Sequence, residues 1–157
     1  MKFKYNDGGR AKAGFRGRTE DCVVRAIAIA AELPYREVYD ELQADTNWLR
    51  DFGRKSKLRD RLRMDKAFRR GSVRDGAYKK VFHAYLLNLG WTWTPTMKIG
   101  SGCKVHLRSD ELPSGRIIVS LSKHLATVID GVLHDLDDCS RDGTRCVYGY
   151  YSQGGIE

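Results

Sequence analysis

Residues 124 to 138 read HLATVIDGVLHDLDD, and the Asp-Gly pair at 130 and 131 constrains the fold more than any other feature of the chain. Asp-Gly accepts the positive φ angles of a two-residue hairpin turn, so the β-forming runs on either side pair in a register that can be counted. Ile129 then faces Val132, Val128 faces Leu133, Thr127 faces His134, Ala126 faces Asp135 and His124 faces Asp137. Side chains alternate along a strand, which puts His124, Ala126 and Val128 on one face with Leu133, Asp135 and Asp137. His134 falls on the other face with Thr127. Two carboxylates therefore come within reach of His124: Asp137 directly opposite, and Asp135 on the diagonal, roughly 7 Å away between α-carbons beside the small Ala126. A slip of one residue would turn the whole set over.

A hundred residues earlier, RTEDCVVRAIAIA sets one cysteine between an acidic turn and an apolar run. From Val23 to Ala31 every residue but Arg25 is apolar. A surface helix needs only one apolar face, so this helix is expected at the centre of the domain, with Thr19 or Asp21 capping its start. A cysteine at such a helix start and a histidine oriented by a carboxylate are the parts of a thiol nucleophile. The positive end of a helix favours thiolate over thiol, a nearby imidazolium favours it further, and the carboxylate fixes the histidine tautomer. Glu20 and Asp21 would oppose this if they pointed at the sulfur, so they are expected to turn away or to cap.

The rest of the chain is read around these two features as one domain, residues 1–157. Residues 1–18 are rich in Gly and basic side chains, lack periodicity and read as an arm. LPYREVYDELQ starts a second helix behind Pro34, with Val38, Leu42 and Tyr35 or Tyr39 facing inward. GAYKKVFHAYLLNLGW carries a third helical stripe that stops at Gly90. Beyond Trp91 come short β-type runs: GWTWTP, KVHLR, GRIIVSLS, HLATVI, VLHDL and RCVYGYY. Helices first and an antiparallel sheet afterwards make an α+β fold. An apolar share of 41% suffices for a core at this length. No run approaches the roughly 18 apolar residues of a membrane span, and the opening lacks the apolar stretch of a secretory signal. The expected compartment is therefore the cytoplasm, where Cys22, Cys103, Cys139 and Cys146 would be thiols or ligands rather than bridges.

DCVVRAIAIA, PYREVYDEL and GRIIVSLSKHLATVIDGVLHDLDD together resemble the papain-like cysteine peptidases, in particular compact bacterial and phage members of the C39-like kind, over about residues 18 to 138. The resemblance implies a papain-like arrangement, with the helix that carries Cys22 packed on the C-terminal sheet. It implies Cys22 as nucleophile, His124 as base and Asp135 as the orienting residue, a hydrolase acting on peptide, isopeptide or related amide bonds without cofactor or metal. Family members commonly hold the oxyanion with a Gln several residues before the cysteine. Here that segment reads GFRGRTED, which leaves the N–H of Cys22 as one donor and the second unassigned.

Other readings compete. A catalytically inactive member would be a binding protein, and a free cysteine is often simply core. Residues 50 to 80 hold thirteen Lys/Arg against four Asp/Glu, more than the whole net charge of +8. This basic excursion, centred on residues 50–75, would let Arg54, Lys55, Lys57, Arg59, Arg61, Arg63, Arg69 and Arg70 neutralise nucleic-acid phosphates, or steer an acidic protein or peptide substrate toward the cleft. Asp142-Gly143 in CSRDGTRC reads as a hairpin turn that sets Cys139 opposite Cys146, and with Cys103 and His106 these would make a zinc set. His83, His106 and His134 read as structural.

Overall fold

The computed structural model describes residues 1–55 and 72–154, with the backbone alone at 53–55. Helix α1 (Cys22–Ala31) buries every residue from Val23 to Ala30. It ends at Glu32, which takes a left-handed φ of 55° and returns its N–H to the Ala28 carbonyl. Pro34 then opens α2 (Tyr35–Lys55), its carbonyl accepting from the Val38 N–H at 3.2 Å. Tyr35, Val38 and Leu42 of α2 are buried against α1, and Tyr39 packs beside them. Helix α3 (Lys79–Asn88) buries Val81, Phe82, Tyr85 and Leu86, and the chain leaves it through Gly90 at φ +85°. A short 3-10 turn, Val73–Asp75, precedes it. Residues 56–71, with Lys57, Arg59, Arg61, Arg63, Arg69 and Arg70 of the expected phosphate-binding patch, lie outside the described residues.

The strands are β1 (Lys2–Tyr5), β2 (Trp91–Pro95), β3 (Val105–His106), β4 (Arg116–Leu121), β5 (His124–Ile129), β6 (Val132–Asp135), β7 (Cys146–Val147) and β8 (Gly149–Gln153). Six form one sheet in the order β1-β6-β5-β4-β8-β2, while β3 and β7 pair apart. The fold is α+β. Asp130 and Gly131 take φ angles of 47° and 76°, and β5 meets β6 in the counted register from Ile129–Val132 to Thr127–His134. The pairing ends there, so the expected extension to His124 opposite Asp137 does not form. One strand was not foreseen: β1 lies in the supposed arm and runs parallel to β6, from Lys2 beside Val132 to Tyr5 beside Asp135. It makes the sheet mixed rather than antiparallel. All four of its residues are exposed, and the alternation of Lys2, Phe3, Lys4 and Tyr5 is the one strand signal in a Gly-rich basic segment.

Each face of the sheet has its own core. On one face the three helices of the described residues pack on Trp91, Ile118, Leu125 and Tyr151, and the buried Thr127 hydroxyl donates to the Ala26 carbonyl of α1 at 2.7 Å. On the other, Ile117, Val119, Ala126, Val128 and Leu133 meet Leu107 and Val147. Strand alternation assigns these two sets, as the hairpin register requires.

The cysteines correct the sequence reading. Cys103 and Cys146 form a disulfide with α-carbons 5.8 Å apart, and only Cys22 and Cys139 are free. The segment after Cys139 is a longer turn in which the N–H groups of Gly143 and Arg145 both reach the Ser140 carbonyl. Cys139 and Cys146 therefore do not face each other, and His106 bonds to Glu111 instead of joining a zinc set. No helix among the described residues is long and apolar enough to cross a membrane.

The disulfide closes a sequence separation of 43 residues, which by the loop-entropy relation stabilises the fold by about 4 kcal/mol. Reduction, or Cys103→Ser, should lower the thermal midpoint by several degrees in a calorimetric scan. An unchanged midpoint under reductant would show that the bond is absent or idle.

Candidate active site

The site begins at the N-terminus of α1. Asp21 occupies the cap position, but its side chain caps nothing. The carboxylate is fully buried, ion-paired to Arg25 one turn along, hydrogen-bonded by the Tyr35 hydroxyl and approached by Arg10 Nε at 3.3 Å. Burial together with Asp21 pushes the Tyr35 phenol well above its ordinary range, so the hydroxyl serves as a donor. The Asp21 carboxylate is thus engaged by Arg10, Arg25 and Tyr35. Thr19 is not a cap either: its hydroxyl donates to the Arg74 carbonyl at 2.8 Å. Arg25, the single polar residue of the apolar run, spans from Asp21 to Asp135, whose Oδ1 lies 3.4 Å from its Nη2.

At the other end of that bridge, Asp135 closes β6. Its Oδ1 also accepts the Leu136 N–H at 2.8 Å, and its Oδ2 accepts from His124 Nε2 at 2.5 Å. Asp135, and not Asp137, is therefore the partner of His124. A carboxylate in this state only accepts, so Nε2 carries a proton and Nδ1 is left for another partner. Burial opposes the ionised form of Asp135, but the His124 hydrogen bond and charge, the Leu136 amide and Arg25 outweigh it and hold the carboxyl below its usual range. Burial likewise opposes the imidazolium of His124. Hydrogen bonds with Asp135, Cys139 and Cys22, with the charge at Cys22, overcome it and push the ring up to about 11.

Cys22, His124 and Asp135 are thus brought together: Asp135 hydrogen-bonds the His124 ring, and Cys22 lies near enough to that ring to raise its pKa. The meeting point is the end of the sheet. By alternation His124 belongs to the face away from α1, but it is the first residue of β5 and stands beside the first residue of α1. Cys22 packs on the helix-side core and Cys139 on the opposite core, so one imidazole is shared by a sulfur from each. Both sulfurs are partly exposed, and the His124 side chain retains 21% of its accessible surface, so solvent and small reagents reach the group.

No protein-family model, curated protein or solved structure matches this chain. The remaining histidines sit apart from the site. His83 bonds the Tyr151 hydroxyl at 2.9 Å, His106 bonds Glu111, and His134 meets Asn6 at 3.2 Å. A cavity of about 350 Å³ lined by Asn6, Glu32, Arg116 and His134 lies at the far end of α1 and includes neither Cys22 nor His124. Sequence reading missed two participants. Arg25 had a signal, being the one charge in a helix expected to be buried. Cys139 had none, because the turn that brings it to His124 is not the hairpin that CSRDGTRC suggests.

Removing the guanidinium leaves two buried carboxylates short of a partner, so Arg25→Leu should cost about 3–5 kcal/mol in urea unfolding. The loss should be smaller when Asp21→Asn accompanies it.

The shift at His124 has a definite sign. A pKa raised in the folded state gives stability that is full below the ordinary 6.5 and is lost as pH rises through about 11. NMR of the ring should show His124 still protonated at pH 8 in the native chain, with a lower midpoint in Asp135→Asn. A ring titrating near 6.5 would refute the triad geometry.

Proposed function

We propose that the protein is a thiol hydrolase of the papain-like type, cleaving a peptide, isopeptide or related amide bond with Cys22 as nucleophile, His124 as acid and base, and Asp135 as the group that orients His124. The observation that carries this reading is that Asp135 holds His124 Nε2 at 2.5 Å while Cys22 lies close enough to the same ring to raise its pKa. The arrangement of a cysteine-bearing central helix against a largely antiparallel sheet supports the papain-like assignment.

The chemistry follows from those positions. His124, its pKa pushed up to about 11, already holds the proton at neutral pH, so Cys22 attacks the carbonyl carbon as the thiolate to give a tetrahedral oxyanion. The start of α1, free of any side-chain cap, offers the Cys22 N–H and the helix dipole to that oxygen. On collapse, His124 gives its proton to the leaving amine, and a thioester remains on Cys22. Water, deprotonated by His124, then attacks the thioester and releases the acid, restoring the thiolate beside the protonated ring. Throughout, Asp135 stabilises the imidazolium and fixes which nitrogen faces the sulfur. Its own position is fixed in turn by Arg25 and the Leu136 amide.

The substrate class is a protein or peptide, and the basic residues between 50 and 80 would favour an acidic one by steering. Nucleic-acid binding through the same residues is the reading from another class, and would show as retention on DNA that falls steeply with salt. The cytoplasm is the compartment proposed with this reading, from a sequence without a membrane-spanning apolar run. Disulfides persist in oxidising compartments, so the state of Cys103 and Cys146 in cells is the observation that separates the cytoplasm from the exterior.

The test is competitive labelling with iodoacetamide at neutral pH. Cys22 should react well ahead of Cys139, and His124→Ala should slow Cys22 by roughly 10²-fold, the scale of a lost general base. Equal rates at both cysteines in the native protein would leave an inactive binding protein as the reading.

A further inference from the structure

Cys139 plays no part in the reaction above, yet its sulfur, a ring nitrogen of His124 and a carboxylate oxygen of Asp135 all lie within 4.8 Å of one another. The three come from separate stretches of chain: the start of β5, the end of β6 and the turn that follows. They include a thiol, an imidazole and a carboxylate, the donor types that zinc accepts. With Zn–S near 2.3 Å and Zn–N or Zn–O near 2.0–2.2 Å, ligand atoms of a tetrahedral site stand about 3.3–3.6 Å apart. Reaching that spacing requires the 2.5 Å contact between His124 and Asp135 to open by about 1 Å and the sulfur to draw in by a similar amount or less. Side-chain rotation on this scale does not disturb the strands.

The surroundings suit an ion. Asp135 Oδ1 is already tied by the Leu136 N–H and Arg25, which leaves Oδ2 as the ligand oxygen and supplies the outer hydrogen bonds that ligating carboxylates use. The group is partly open to solvent through Cys139 and His124. Three protein ligands leave a fourth position for water.

We propose that Cys139, His124 and Asp135 form a binding site for a thiophilic divalent cation such as Zn²⁺, and that its occupancy holds the hydrolase inactive by taking His124 from Cys22. Binding at neutral pH releases two protons to solvent, one from the Cys139 thiol and one from Nε2 of the protonated His124 ring, and no electron is transferred. The cation occupies Nε2 and breaks the His124–Asp135 hydrogen bond, so the ring loses the partner that orients it. The metal site stands on the three ligands alone, whereas the inhibition rests on the thiol-hydrolase reading.

Two measurements separate these. Titration of the purified protein with Co²⁺ should give thiolate-to-cobalt charge-transfer absorption with intense tetrahedral d–d bands. The thiolate absorption should be lost in Cys139→Ala and kept in Cys22→Ala, both checked for native circular dichroism. No charge-transfer band in the native protein, or a band lost with Cys22 and kept without Cys139, would overturn the site. In the second measurement, Zn²⁺ should slow iodoacetamide labelling of Cys22 to the rate of the His124→Ala protein and leave the rate in Cys139→Ala unchanged. Slowing that persists in Cys139→Ala would overturn the inhibition. If Cys22 shows no enhanced labelling at all, the hydrolase reading falls while the cobalt spectrum still decides the metal site.

Discussion

The buried chain of charges from Asp21 through Arg25 to Asp135 fixes how the central helix sits on the sheet. Burying two carboxylates and a guanidinium costs several kcal/mol per ion, which is recovered only when every charge finds partners. Here they do. Asp21 is met by Arg25, Tyr35 and Arg10, and Asp135 by His124, Arg25 and the Leu136 amide. Sliding the helix by one turn would strand both carboxylates without water. Apolar packing of α1 against β5 holds the two elements together but tolerates small shifts. The ion chain does not, and it sets the first residue of the helix beside the first residue of β5.

This division explains what the sequence made legible. The hairpin register came from a strictly local rule about Asp-Gly, and it held over the paired residues because turn chemistry does not depend on the rest of the fold. It failed only beyond Thr127–His134, where the strands part and the Leu136 amide turns back onto Asp135. Counting had placed Asp137 opposite His124, and the diagonal residue proved to be the partner. The three helices were readable from their apolar positions and their Pro and Gly boundaries.

The unreadable parts are non-local. Strand β1 is exposed along its length and is defined by backbone pairing to a strand about 130 positions later. The Cys103–Cys146 bond and the approach of Cys139 to His124 depend on how loops close over the second core, which no spacing rule encodes. Arg25 lies between these cases: its burial followed from the helix pattern, and its partners did not. The functional group accordingly combines residues with local signatures, Cys22, His124 and Asp135, and residues without them.

The disulfide divides the group in another way. Cys103 to Cys146 is a covalent ring that contains β4, β5 and β6, and with them His124, Asp135 and Cys139, while Cys22 lies outside it. A single cut anywhere on that ring leaves one continuous molecule, still tethered on both sides of the break. A cut between Cys22 and Cys103 instead leaves Cys22 joined to His124 by noncovalent packing alone. Backbone damage is therefore survivable on one side of the site and divisive on the other.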